Sequence, residues 1–101
     1  MTTLHMIASS AHSRDGMADC LALLSPGDGV VLMEEGVLAL SRPGLEILQL
    51  LAEKLGTSDA LYYMQDDLLA RGLSAPADWQ GIDMNRLVEL HCQHDKSLTW
   101  Y

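Results

Sequence analysis

Phenylalanine is absent from this chain of 101 residues, and tryptophan and tyrosine bring the aromatic share to only 5%. Cysteine is also scarce. Cys20 and Cys92 are the only two, and they form no C-x-x-C pair. Two cysteines are too few for a disulfide scaffold, which favours a reducing compartment. The core must therefore be built from aliphatic residues, which dominate the 49% hydrophobic content.

Positively charged residues are also few. Six lysines and arginines face 14 aspartates and glutamates, giving a formal net charge of −8. The six cations are scattered singly along the chain and form no basic cluster. A nucleic-acid-binding protein needs such a cluster to neutralise phosphates, so we expect no direct contact with nucleic acid.

Long apolar runs and phosphate-binding loops are missing as well. No run approaches the roughly 20 apolar residues of a membrane helix, and no basic segment followed by an apolar core opens the chain. We therefore expect a cytoplasmic protein without a membrane partner. Residues 9–16, "SSAHSRDG", contain neither G-x-G-x-x-G nor a Walker lysine, which disfavours nucleotide binding.

Apolar runs alternate along the chain with segments of helical period. The chain length predicts one domain, spanning residues 1–101, and the alternation predicts an α/β fold with a mainly parallel sheet. The high aliphatic content of so short a chain also indicates a subunit interface. We predict strands over 3–9, 29–33, 60–64, 82–84 and 97–101, helices over 15–24, 36–41, 43–56, 66–72 and 83–94, and a loop over 74–81.

The second predicted strand ends in acidic residues. "GVVLM" is continuously apolar, as expected for a central parallel strand, and Glu34, Glu35 and Gly36 end it because unpaired carboxylates are costly to bury. Sites gather at this edge of parallel sheets. A phosphoacceptor site built from Glu34, Glu35 and the pair Asp66 and Asp67 would need a longer chain, so capping and solvated roles are favoured for these acids.

Cys20 allows two interpretations. It shares a helical face with Met17, Leu21 and Leu24, which favours a small buried hydrophobic residue. A chemical role would need a thiolate in positive surroundings, which His12 and Arg14 near the helix start could supply. Spacing alone leaves both interpretations open and favours packing.

Histidines and the second cysteine give weaker signals. His91 and His94 share one face of the last predicted helix, whereas Cys92 points elsewhere, so a polar helix end is favoured over a metal site. His5 lies within the first predicted strand and His12 in the loop after it. Of these two, His12 is the better candidate to assist a thiol.

Several motifs occur together in an order typical of one family. "LLSPGD" ends the first helix, "VVLMEEGVLAL" follows as an apolar run with acids and glycine, and "VELHCQHDKSLTW" stands near the end of the chain. The most specific element is D-L-x-A-R-G, formed by Asp67, Leu68, Ala70, Arg71 and Gly72. Over nearly its whole length the chain resembles the DsrH/TusB family of sulfur-relay subunits.

The resemblance implies a three-layer α/β domain of flavodoxin-like or Rossmann-like type that needs no metal or organic cofactor. It also implies a heterohexamer with DsrE/TusD-like and DsrF/TusC-like subunits, which passes persulfide sulfur to a DsrC/TusE-like carrier. The main carrier cysteine is expected on the DsrE/TusD-type partner. We expect the apolar surface, including the terminal segment with Trp100, to pack in this assembly.

Cys20 falls where the DsrH branch has a first-helix cysteine that TusB-like members can lack. The resemblance therefore makes Cys20 a candidate persulfide carrier and favours intracellular sulfur oxidation. Relay for 2-thiolation of the tRNA wobble uridine is the alternative pathway. A noncatalytic structural role in either complex also stays open.

Overall fold

The computed structural model describes residues 1–8, 16–41, 46–57 and 59–101. Apolar strands and helices alternate through these ranges, as the sequence pattern predicts. In chain order the elements are β1 (Thr3–Ile7), α1 (Gly16–Leu23), β2 (Gly29–Leu32), a 3₁₀ helix (Glu34–Ser41), α2 (Glu46–Leu55), β3 (Leu61–Met64), α3 (Gln65–Ala70), β4 (Gln80–Ile82), α4 (Met84–Gln93) and β5 (Lys96–Trp100).

All five strands pair in parallel in the order β4-β3-β2-β1-β5. The predicted α/β class with a parallel sheet is confirmed. The order differs from that of flavodoxin, because the first four strands lie side by side in chain order and β5 returns to the free edge of β1. Connections between neighbouring parallel strands are right-handed. Because the connection from β4 to β5 crosses the sheet in the opposite direction to the earlier ones, α4 lies on the face opposite α1, α2 and α3.

Each face of the sheet has its own apolar core. The larger core lies under α1, the 3₁₀ helix, α2 and α3, and the smaller one lies under α4. The continuously apolar β2 contributes to both, as a central strand covered on two sides must. Among the buried residues of the smaller core are Leu4, Val31, Tyr62, Met64, Ile82, Leu87 and Leu90.

Several predicted boundaries need correction. The fourth strand is Gln80–Ile82 rather than 82–84, so the predicted loop ends two residues earlier. The segment after β2 is helical as predicted, but it is a 3₁₀ helix that begins at Glu34. The start of the predicted helix 43–56, including Pro43, lies outside the described residues, and so does the end of the first predicted strand. No helix of the described residues is long and apolar enough to cross a membrane.

Gly36 allows the 3₁₀ helix to lie against the end of β1. A Cβ atom at this position would stand 2.1 Å from the carbonyl oxygen of Ile7. Backbone atoms cannot move aside as a flexible side chain can, so only glycine fits here. The close approach of Gly36 to Ile7 keeps the acidic start of the 3₁₀ helix at the carboxyl edge of the sheet.

We predict that Gly36→Ala lowers the free energy of unfolding by about 3 kcal/mol, because the new methyl group displaces backbone. The matched control is Gly56→Ala, where φ is +76° but nothing lies within 4 Å of the new Cβ. The control should lose only about 1 kcal/mol, from backbone strain. Urea unfolding followed by circular dichroism measures both, and equal losses would contradict the contact with Ile7.

Candidate functional site

Cys20 lies on the inner face of α1 and is fully buried. Its side chain belongs to the larger core, together with Ile7, Leu24 and Val30. Burial raises the pKa of Cys20 to about 12, and the negative charge of Asp28 acts in the same direction. At neutral pH the sulfur is therefore a thiol packed among aliphatic side chains.

The surroundings of Cys20 are unfavourable for a nucleophile. Reactive cysteines are partly exposed and lie in positive surroundings that stabilise the thiolate. Among the described residues, the charged group that acts on the thiol is the carboxylate of Asp28. His12 and Arg14, the predicted activating residues, lie outside the described residues. The described structure thus agrees with the packing interpretation, and a persulfide role for Cys20 stays a prediction.

Asp28, in the turn before β2, is a buried carboxylate with three hydrogen bonds. Its Oδ1 accepts from the backbone N–H of Thr3 at 2.8 Å. Its Oδ2 accepts from the backbone N–H of Ser25 at 3.1 Å and lies 3.2 Å from Nε2 of His5. These donors replace water around a charge that would otherwise be costly to bury.

His5 connects this carboxylate to the last strand. The indole Nε1–H of Trp100 donates to Nδ1 of His5 at 3.0 Å. Because Nδ1 accepts, the proton of the neutral ring stands on Nε2, which donates to Asp28. The rings of His5 and Trp100 are nearly parallel, with centroids 6.1 Å apart and an interplanar angle of 18°. A polar chain of Trp100, His5 and Asp28 therefore runs through one face of the sheet.

Sequence patterns do not reveal this chain of contacts, because its members are separated by 23 and 95 residues. Trp100 was expected to pack in an assembly, yet its indole N–H is already engaged within the subunit. The one local signal was the aspartate of "SPGD", which directly precedes an apolar strand. An acid at that place needs internal partners once the strand is buried.

The carboxyl edge of the sheet carries the predicted acidic residues. Glu34 has a φ of 50°, and its backbone N–H donates to Oδ2 of Asp67 at 2.8 Å. Asp83 caps α4 by accepting from the backbone N–H of Arg86 at 2.9 Å. Glu35 and Asp66 are exposed to solvent. Capping and solvated roles thus account for the acids at this edge.

The end of α4 has the structure of a polar helix end, which the sequence favours over a metal site. Nδ1 of His94 donates to the carbonyl of Leu90 at 2.7 Å, which satisfies one of the free acceptors at a helix end. His91 and Cys92 are exposed. The part of the chain that the structure describes contains no group of three or more residues able to hold a metal ion.

Comparison with known proteins identifies the family. The family model described as "DsrH like protein" matches residues 9–97. The chain belongs to the DsrH/TusB family of sulfur-relay subunits. Protein TusB of Pectobacterium parmentieri is 32% identical over 99 residues, with 96% of this chain and 99% of the relative covered. Protein TusB of Klebsiella pneumoniae is 37% identical over 101 residues, with the same coverage.

A solved structure supports the fold of this DsrH/TusB chain. The crystal structure of the ychN protein from E. coli superposes with a TM-score of 0.71, covering 99% of this chain and 100% of the other. The two sequences are 17% identical, so the likeness concerns the fold alone. The family and the fold expected from the sequence motifs are both confirmed.

We predict that Cys20 resists alkylation in the native protein. A pKa raised from 9.0 to about 12 leaves roughly a thousandfold less thiolate at pH 8 than an ordinary thiol has. Mass spectrometry after iodoacetamide treatment should show rapid labelling of exposed Cys92 and labelling of Cys20 at least about 100-fold slower. The variant Cys92→Ser isolates the Cys20 signal, and denaturant should make Cys20 react. Fast native labelling of Cys20 would contradict its burial.

We also predict that Asp28→Asn lowers the free energy of unfolding by about 2–3 kcal/mol. The asparagine side chain keeps one oxygen acceptor. Its NH₂ group, however, would face donors that now hydrogen-bond to the carboxylate of Asp28. The matched control is Asp59→Asn at an exposed aspartate, which should change stability by less than about 0.5 kcal/mol. Urea unfolding of both variants makes the comparison. An unchanged free energy of unfolding in Asp28→Asn would show that the buried contacts of Asp28 add nothing to stability.

Proposed function

We propose that this chain is a structural subunit of a cytoplasmic sulfur-relay complex, contributing surface rather than a sulfur-carrying thiol. The family places the chain among sulfur-relay subunits. The observation that carries the structural role is the burial of Cys20, whose relative exposure is 0%. Sulfur transfer needs a thiolate that a second sulfur can reach, and a fully packed thiol meets neither condition.

The relay step itself follows from sulfur chemistry. A thiolate attacks the outer sulfur of a persulfide, the S–S bond breaks, and the electron pair leaves with the donor thiolate. The new persulfide forms on the attacking cysteine, so no metal or external oxidant takes part. We propose that the DsrE/TusD-type subunit provides this cysteine and that a DsrC/TusE-like carrier receives the sulfur. The DsrF/TusC-type subunit completes the proposed heterohexamer.

Two pathways have support. The DsrH description of the matching family model supports a DsrEFH-type complex in intracellular sulfur oxidation. The name TusB of the curated relatives supports a relay for 2-thiolation of the tRNA wobble uridine. The presence of Cys20 favoured the first pathway, but a packing role weakens that argument. Deletion of the gene separates the two, because loss of 2-thiouridine from tRNA indicates the second pathway and impaired oxidation of stored sulfur indicates the first.

We predict that Cys20 gains no sulfur mass when the assembled complex is incubated with a persulfide donor. Burial of Cys20 withholds its thiol from the donor, whereas the DsrE/TusD-type partner should gain one sulfur atom. Intact-mass spectrometry of each subunit makes the measurement.

Two variants control for the cysteines of this chain. Cys92→Ser removes the exposed thiol, so that any remaining mass gain belongs to Cys20. Cys20→Ala should leave loading of the partner unchanged. A sulfur gain on this chain that survives Cys92→Ser and disappears in Cys20→Ala would overturn the structural role. Failure of the chain to copurify with either partner would overturn membership of the complex.

A further inference from the structure

The last strand, β5, is paired along one side only. It lies outside β1 in the sheet, so no strand of the described residues adjoins its outer edge. Residues 96–99 are exposed, and Trp100 is partly buried. The position of β5 therefore depends on its ladder with β1 and on the contacts at its two ends.

The start of β5 is fixed by contacts between Asp95 and Thr2. The backbone N–H of Thr2 donates to Oδ2 of Asp95 at 2.7 Å, and the backbone N–H of Asp95 donates to the carbonyl of Thr2 at 3.1 Å. The backbone N–H of Lys96 donates to the same carbonyl at 3.3 Å. These contacts do not depend on the charge of a histidine.

The end of β5 is fixed by Trp100. Its backbone carbonyl accepts from the N–H of Ala8 at 2.8 Å, and its indole Nε1–H donates to Nδ1 of His5 at 3.0 Å. We call the second contact the indole bond. It joins the side chain at the end of the strand to a residue that is only 1% exposed.

The indole bond requires a neutral His5. A neutral imidazole has one donor and one acceptor, and here Nε2 donates to Asp28 while Nδ1 accepts from Trp100. Protonation places a hydrogen on Nδ1 as well, so that both ring nitrogens become donors. Two N–H groups would then face each other across the 3.0 Å of the indole bond, and that bond is lost.

Asp28 determines which partner moves when the indole bond is lost. Its carboxylate lies 3.2 Å from Nε2 of His5 and would form a charge-assisted hydrogen bond with the protonated ring. The contact on this side becomes stronger, so the buried His5 ring stays in place. Trp100 lies at the sheet edge and is partly exposed, and its indole can therefore turn away toward solvent.

The other titratable groups of the described elements around His5 do not produce the same change. On α1, Asp19 is exposed, and burial raises the pKa of Cys20 to about 12, which keeps that thiol neutral throughout the range in which histidines titrate. β2 itself carries no titratable residue. On β5, Lys96 is exposed at the opposite end of the strand from Trp100.

We propose that His5 is a proton-controlled latch for the end of β5. Neutral His5 holds Trp100 in place, whereas protonated His5 releases it while the start of the strand stays attached at Asp95. The proton comes from solvent, and no covalent bond is made or broken apart from the new N–H. Because histidines titrate between about pH 5 and 8, mild acidification operates the latch. The proposal goes beyond the sulfur-relay role and does not depend on it.

Nuclear magnetic resonance of the isotope-labelled full chain between about pH 8 and pH 5 tests the latch. The indole N–H signal of Trp100 should shift upfield with the same midpoint as the ring signals of His5. The indole of Trp79, which is buried in the larger core, is the internal control and should not follow that midpoint. Circular dichroism over the same range verifies that the sheet stays folded.

Amide hydrogen exchange measures the release of the strand end. Corrected for the intrinsic rate, exchange at Ala8, whose N–H donates to Trp100, should become at least about tenfold faster in acid. Exchange at Lys96, at the fixed start of β5, should change by less than about twofold.

Two variants separate the latch from general effects of acid. His5→Gln places an amide that does not titrate where it can donate to Asp28 and accept from Trp100, so Ala8 should stay protected at both pH values. Trp100→Phe keeps an aromatic ring but lacks the indole N–H, so Ala8 should exchange rapidly at both pH values.

Four results would each overturn the latch. The indole signal of Trp100 could stay in place while the His5 ring titrates. Ala8 and Lys96 could lose protection equally, which would mean that the strand opens as a whole. The pH response of Ala8 could persist in His5→Gln or in Trp100→Phe. Acid could unfold the sheet before His5 takes up its proton, which would leave no folded state for the latch to act in.

Discussion

The buried carboxylate of Asp28 is the constraint around which the amino end of the sheet is organised. A charge in that position must be met by donors, and three are supplied from β1 and the turn before β2. Through His5 the same requirement reaches Trp100, which helps to hold the last strand beside the first. The strand order, with β5 outside β1, thus satisfies a polar group as well as an apolar core.

Burial is the main cause of the raised pKa of Cys20, and Asp28 contributes to it. A carboxylate near Cys20 opposes formation of a second negative charge, in addition to the effect of burial. The amino end of the sheet is therefore engaged in holding the fold together. The exposed acids Glu35 and Asp66 stand at the opposite, carboxyl end of the sheet.

Local patterns predicted much of this architecture. The continuous run of β2, the amphipathic stripe of α2 and the acids of α3 are properties of neighbouring residues, and each element lies where its pattern indicates. The family motifs were equally local, and the family is confirmed. The position of Cys20 on an apolar stripe favoured packing, and the structure buries it.

Contacts between distant residues could not be predicted in the same way. Nothing near His5 in the sequence indicates Asp28 or Trp100, because strand order brings them together. The close approach of Gly36 to Ile7, which lets the 3₁₀ helix lie against β1, is likewise a tertiary contact.

The central claim is that this chain supports a sulfur relay without carrying sulfur. The most direct test measures the rate at which radiolabelled sulfur passes from a persulfide donor through the assembled complex to a DsrC/TusE-like carrier, with wild-type chain or with Cys20→Ala. Our account predicts equal rates once equal assembly has been verified by sedimentation. A large loss of rate in a fully assembled Cys20→Ala complex would contradict it and make Cys20 part of the relay.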